Sequence, residues 1–153
     1  TDGTLWAWGL NSQGALGVGN TTNYSSPVQV GSLTNWATIA LGTGSSLATK
    51  TNGQLWTWGG GANGRLGHNN ATNYSSPVQV GALTTWLTVS GGYKYTVATK
   101  TNGQLWAWGA NDNGQIGQSN MYGVYSSPIQ VGALTTWLKA AAGYYGAAAT
   151  KSP

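Results

Sequence analysis

The chain has 153 residues, of which 40% are hydrophobic and only 5% charged, with nine Trp, no Cys and a formal charge of +4. That supplies ample material for a core but far fewer charges than the usual quarter or so of residues. The absence of Cys excludes disulfides and thiolate metal sites, no apolar run approaches the ~18 residues of a membrane-spanning helix, and no signal peptide is visible.

The charge comes from six Lys and Arg against two Asp. Lys50, Lys100 and Lys151 recur at matching places instead of crowding one face, and nucleic-acid binders crowd theirs, so nucleic acid is not a favoured partner. The surface is left to Thr, Ser, Asn, Gln and Gly. Such a surface suggests an extracellular or virion setting: a phage virion or fibre component, or a bacterial secreted or surface protein. A start at Thr1 without Met suggests a processed product or part of a longer polypeptide.

The first element in chain order is Leu5-Trp6-Ala7-Trp8-Gly9, preceded by Thr1-Asp2-Gly3. It returns as Leu55-Trp56-Thr57-Trp58-Gly59 after Thr51-Asn52-Gly53, and as Leu105-Trp106-Ala107-Trp108-Gly109 after Thr101-Asn102-Gly103. Asp-Gly and Asn-Gly between apolar runs signal hairpin turns. A fixed period near 50 residues marks a repeat architecture, with units 1–50, 51–100 and 101–151. A Gly-rich stretch follows each Trp pair, then a polar loop, then a short strand, 25–31, 75–81 or 126–132, that carries Pro27, Pro77 or Pro128, where Pro belongs at a strand start or edge. Next come strands opened by Trp36, Trp86 and Trp137, a glycine turn at Gly42, Gly92 or Gly143, and a strand ending in Ala-Thr-Lys. The Ala-rich stretch from Ala140 to Ala149 reads as strand, because Gly143 and Gly146 would each cost a helix about 1 kcal/mol.

About four short strands per unit is how a β-propeller blade is written. The residues Trp8-Gly9-Leu10-Asn11, Gly14-Ala15-Leu16-Gly17, Pro27 with Val30, and Gly42 resemble the regulator of chromosome condensation (RCC1-type) repeat, in all three units. The order differs from kelch repeats, and the Gly-His and Trp-Asp pairs of the WD type are missing. The resemblance implies an all-β propeller, in which relatives typically have about seven blades. Some relatives are exchange factors for a small GTPase or touch chromatin. Others bind and inhibit partner proteins, a β-lactamase inhibitor among them. Relatives often carry a His a few residues after the Gly42-type glycine; here Ser45, Tyr95 and Gly146 stand there.

The expected fold is therefore a set of three four-stranded repeats, either a partial propeller or half of a six-bladed ring formed by two chains. Propellers close with about four to eight blades, so three leave two apolar flanks. The recurring indoles, Trp6, Trp8 and Trp36 with their copies, are expected in the core, because each removes a large apolar area from water.

No catalytic, cofactor or metal site is expected. Asp2 and Asp112 are the only acids, both in turn contexts, and calcium takes several carboxylates. His68 matches Val18 and Gln118, and so is expected in an exposed loop. The Gly-rich runs lack the Gly-Lys-Ser/Thr of a phosphate-binding loop. Functional residues are expected instead where the repeats differ: Arg65, Tyr93, Lys94, Tyr95, Tyr144, Tyr145, Met121, Tyr122 and Tyr125, since Tyr, Met and Arg are enriched in interface cores. The leading expectation is a non-enzymatic protein-binding or structural module, whose partner is another protein or further copies of itself. A regulatory protein acting on a small GTPase or an inhibited enzyme is the alternative, and a glycan-binding adhesin a further one.

Overall fold

A computed structural model describes residues 2–153. Its strands are β1 (Trp6–Gly9), β2 (Tyr24–Gln29), β3 (Trp36–Gly42), β4 (Ser45–Lys50), β5 (Leu55–Gly59), β6 (Tyr74–Gln79), β7 (Trp86–Gly91), β8 (Tyr95–Lys100), β9 (Leu105–Ala110), β10 (Val124–Gln130), β11 (Trp137–Ala142) and β12 (Ala147–Lys151). The only helical piece among the described residues is a 3-10 turn, Ala62–Gly64. All neighbouring strands pair antiparallel.

The sequence repeat and the sheet are out of phase. β3-β4-β5-β6 and β7-β8-β9-β10 form four-stranded sheets, while β1-β2 and β11-β12 stand as two-stranded halves. Each 50-residue unit thus closes the outer half of one sheet and opens the inner half of the next. Three repeats give two whole sheets, where three were expected. First strands neighbour one another, β3 against β7 and β7 against β11, so they stand nearest the common axis. The outermost strands β2, β6 and β10 carry the prolines, where a missing N–H costs no ladder bond.

Local chemistry explains the turns. Gly53 N–H donates to Lys50 C=O at 2.9 Å, and Asn52 Oδ1 accepts from Gln54 N–H at 3.2 Å. Gly103 and Asn102 repeat both bonds. In the first unit Asp2 Oδ1 takes the place of Asn, accepting from Thr4 N–H and from its hydroxyl. Thr1 of that turn lies outside the described residues.

The core lies between the sheets. One cluster holds Leu55, Val80, Trp86, Ala98 and Trp108; another holds Tyr95, Val97, Leu105, Ala107, Ile116 and Ala140. Trp58 and Trp108 are 1% and 0% exposed. Each indole N–H reaches the preceding sheet, Trp58 donating to Ala15 C=O and Trp108 to Arg65 C=O, both at 2.9 Å. The rings come close enough that a Cβ on Gly17 or Gly67 would stand 2.6 or 2.9 Å from the indole nitrogen, so only glycine fits there. Lys50 and Lys100 are also buried, their Nζ atoms 3.8 and 3.6 Å from the centroids of Trp56 and Trp106, and burial lowers both pKa values.

The expectation that every recurring indole is core fails at the first unit. Trp6 is 49% and Trp8 60% exposed. The reason is neighbourhood: β1 pairs only with β2, so no second-strand residue flanks these rings.

Candidate partner-binding face

The turns joining first to second strands, and the long connections after β1, β5 and β9, gather at one end of the sheets. Gly60 N–H donates to Gly44 C=O at 2.7 Å and Ala110 N–H to Lys94 C=O at 3.0 Å, tying turn to connection. The Asn-Gly hairpins and Lys50 and Lys100 occupy the opposite end.

Two of these turns carry aromatic residues. Tyr93 and Lys94 lie between β7 and β8; Tyr144 and Tyr145 lie between β11 and β12. Tyr93 and Tyr144 stack across neighbouring sheets with centroids 4.2 Å apart and planes at 11°. Tyr145 stands edge-on to Tyr144 at 4.4 Å and to Tyr93 at 6.0 Å. Lys94 Nζ sits 5.1 Å from the Tyr93 centroid. Tyr144 and Tyr145 are more than half exposed, which makes this an aromatic platform open to solvent. The Tyr93 side-chain hydroxyl, above all, pushes the Tyr144 pKa up to about 12. The first unit has Thr43 and Gly44 at this place, so the platform belongs to the second and third units. Beside it a cleft of 390 Å³ is lined by Gln13, Ala15, Asn63, Arg65, Tyr93 and Lys94, among others.

Three residues expected at a partner-facing rim are structural instead. Arg65 is buried: Nε donates to Gly60 C=O at 2.7 Å, and Nη1 donates to Thr43 C=O at 2.8 Å and Tyr93 C=O at 3.0 Å. It clips the β5–β6 connection to two axial turns, and burial lowers its pKa. Its acceptors are backbone carbonyls, which no residue pattern reveals. Tyr95 is buried as well, its hydroxyl donating to Gly146 C=O at 2.6 Å and accepting from Gly143 N–H at 3.1 Å. Burial raises its pKa. It anchors the turn that carries Tyr144 and Tyr145, and so positions the platform from beneath.

Tyr125 is likewise scaffold. It is half-buried, packs against both core clusters and donates to Asn120 Oδ1 at 3.0 Å. Tyr24 and Tyr74 accept from Asn20 and Asn70 at the same place, so the Asn-x-x-x-Tyr recurrence was a readable signal that the third unit's extra residue obscured. Met121 and Tyr122 are exposed in the β9–β10 connection at the same end, and among the described residues no ring contact joins Tyr122 to the platform.

His68 corrects a further expectation. It is half-buried, edge-on to Tyr74 at 5.1 Å, with Nε2 2.9 Å from Thr57 Oγ1. The Thr57 hydroxyl already donates to Leu66 C=O at 2.7 Å, so the His68 Nε2–H is the donor to Thr57. Burial lowers the His68 pKa. Asp2 is held by Thr4, and Asp112 is an exposed turn residue. Among the described residues no group of three His, Cys, Asp or Glu comes together, and no helix is long and apolar enough to cross a membrane.

These features define a segment of a β-propeller with an aromatic platform at one end of its axis. A family model described as the regulator of chromosome condensation (RCC1) repeat matches residues 2–49, 52–99 and 102–150, and a second model of the same description matches 87–115. The chain belongs to the regulator of chromosome condensation repeat family. No curated protein sequence matches it. Among solved structures it is similar to human WBSCR16, with TM-score 0.85 and 21% identity, over 99% of this chain and 41% of that one. It is similar to Prp20p from Saccharomyces cerevisiae, described with its binding to Gsp1p and histones, with TM-score 0.83 and 20% identity, over 98% and 40% of the two chains. Yeast RCC1 (Prp20) bound to Kap60 gives TM-score 0.81 and 19% identity, over 98% and 39%. This chain therefore spans about two fifths of those proteins, and at such identity the likeness carries the fold alone.

Proposed function

We propose that the chain is a non-catalytic protein-binding module, and that Tyr93, Lys94, Tyr144 and Tyr145 are its contact platform. The observation that carries the reading is the solvent-open stack of Tyr93 on Tyr144, which joins two neighbouring sheets. Tyr contributes a large, rigid contact area with a polar tip, and binding energy concentrates on such anchors. Lys94 adds one cation beside the rings, and Gln13 and Asn63 line the adjoining cleft with amides. The similar Prp20p is described as binding Gsp1p and histones and is seen with Kap60, which favours a protein partner for this platform. Met121 and Tyr122 extend the contact outward at the same end. The sparsely charged Thr/Asn/Ser/Gly surface supports display outside a cell or on a virion.

A photo-crosslinking side chain at Tyr144, used in the native source, tests this. The expected result is one protein captured at Tyr144, lost on Tyr93→Ala, and not captured from the exposed Thr84 at the opposite end. Equal capture from both positions, or saccharide binding on a glycan array that Tyr93→Ala and Tyr144→Ala remove, overturns the protein-binding reading.

A further inference from the structure

The second unit departs from the other two at three places that converge on one cleft. Gly60 stands where they have Leu10 and Ala110, Arg65 where they have Ala15 and Gln115, and Lys94 where they have Gly44 and Tyr145. Arg65 and Lys94 line the 390 Å³ cleft beside the tyrosine platform, and Gly60 adjoins Gln13 and Arg65 in its wall. Neither acid of the chain, Asp2 or Asp112, lines it, so the cleft has two cations and no counter-charge.

A guanidinium has five N–H donors in a rigid fork. Backbone engages three of those of Arg65: Nε–H donates to Gly60 C=O, and the two Nη1 hydrogens to Thr43 and Tyr93 C=O. The donors left over are both on Nη2, which has no acceptor among the described residues and is not sealed from solvent. A side chain only 6% exposed therefore keeps one nitrogen open, in the wall of the cleft. Its three backbone bonds hold that nitrogen in place, so little ordering is required when a ligand arrives. Both anchoring turns, 43–44 and 93–94, belong to whole four-stranded sheets.

Gly60 keeps the approach clear. A Cβ there would stand 2.2 Å from Gln13 Oε1 and 3.0 Å from Arg65 Nη2, so a side chain would enter the space those two groups share. The amides of Gln13 and Asn63 border the same cleft and make no hydrogen bond among the described residues.

We propose that the cleft seats an aspartate or glutamate side chain of the protein partner, whose carboxylate accepts from Arg65 Nη2–H with Lys94 as its second cation. The inference rests on the protein-binding reading of the platform and deepens it: the stacked tyrosines supply contact area, and the cleft takes one acidic anchor. A buried guanidinium bonded only to carbonyls has given up hydration without gaining a counter-ion, and a carboxylate supplies one. Charge-assisted hydrogen bonds of this kind are about twice as strong as neutral ones. One carboxylate oxygen takes Nη2–H, and the other is left for Lys94 or for the amides of Gln13 and Asn63.

Arg65 is the sole arginine of the chain, so its guanidinium N–H signals in a nitrogen-15 NMR spectrum belong to one residue. The 153-residue chain is titrated at low ionic strength with the tripeptide Gly-Glu-Gly, blocked at both ends. A saturable shift of the Arg65 signals is expected, absent with blocked Gly-Gln-Gly and with sodium chloride at the same ionic strength. Lys94→Met weakens the binding about two- to fivefold, the scale of one exposed ion pair, and leaves the signals themselves in place. Gly60→Leu, which installs the residue of the first unit, abolishes the shift. No saturable shift with the Glu peptide, an equal shift with the Gln peptide, or a Glu response indifferent to both variants overturns the proposal. Inorganic phosphate that saturates the same signals at about tenfold lower concentration also overturns it, because the cleft is then a phosphate site. The two readings fail separately. A protein captured at Tyr144 with no carboxylate response at Arg65 strikes this inference alone, and a response at Arg65 with no protein captured strikes the platform reading and leaves the carboxylate site.

Discussion

Trp8 and Trp58 occupy the same place in the repeat, two residues after an identical Leu-Trp and immediately before Gly. Trp58 is sealed between β4 and the Ala15 loop, its N–H bonded at 2.9 Å, whereas Trp8 is 60% exposed. Lys100 and Lys151 make a second such pair: one is buried between two indoles, the other lies in solvent. The difference teaches that a blade's interior belongs to the pair of neighbouring units and not to the unit. A repeat acquires its core from the units on either side.

That comparison breaks or sharpens under mutation. The largest effect is expected from Trp58→Ala and Trp108→Ala, each costing about 3–5 kcal/mol in urea unfolding of the dilute chain. Trp8→Ala should stay within about 0.5 kcal/mol, as an exposed substitution does. Equal losses at all three positions would erase the distinction. Arg65→Met comes next. It strips three carbonyls, one buried and two part-buried, of a charged donor and should cost about 2–3 kcal/mol, while melting of Arg65→Lys should recover only part of the loss, because a single ammonium cannot hold the same fork.

Lys100→Met should cost about 1 kcal/mol, the scale of a partly buried cation over an aromatic face. Lys151→Met should cost close to nothing in the dilute chain. The smallest expected effect is a pH dependence from His68, the sole histidine. Burial lowers its folded pKa below the ordinary 6.5, so the unfolded chain binds the proton first. Its contribution to stability is present above about pH 6.5 and lost as pH falls through the folded value. His68→Gln, which installs the residue found at Gln118, should flatten unfolding free energy against pH in that window.

Much of the architecture was legible. The Asn-Gly turns, the Pro-bearing outer strands and the 50-residue period depend on residues close together in the chain, and they appear where expected. The Ala-rich third unit is strand as read, since Gly143 and Gly146 sit at the turn between β11 and β12. The candidate site was only partly legible. Tyr93 and Tyr95 are two apart and looked alike, yet Tyr93 tops the turn while Tyr95 begins the buried strand β8 and bonds a carbonyl 51 residues away. Arg65 looked like a loop cation because backbone carbonyls 22 and 28 residues distant leave no trace in sequence.

The sequence by itself determined the strand order, the turn chemistry and membership of a repeating sheet architecture, because these follow from contacts within one hairpin. Tertiary structure alone decided which identical tryptophans are core, which tyrosines meet across sheets, and where one unit's strands join the next. Those outcomes depend on neighbours some 43 to 52 residues away, whose presence a local pattern does not encode.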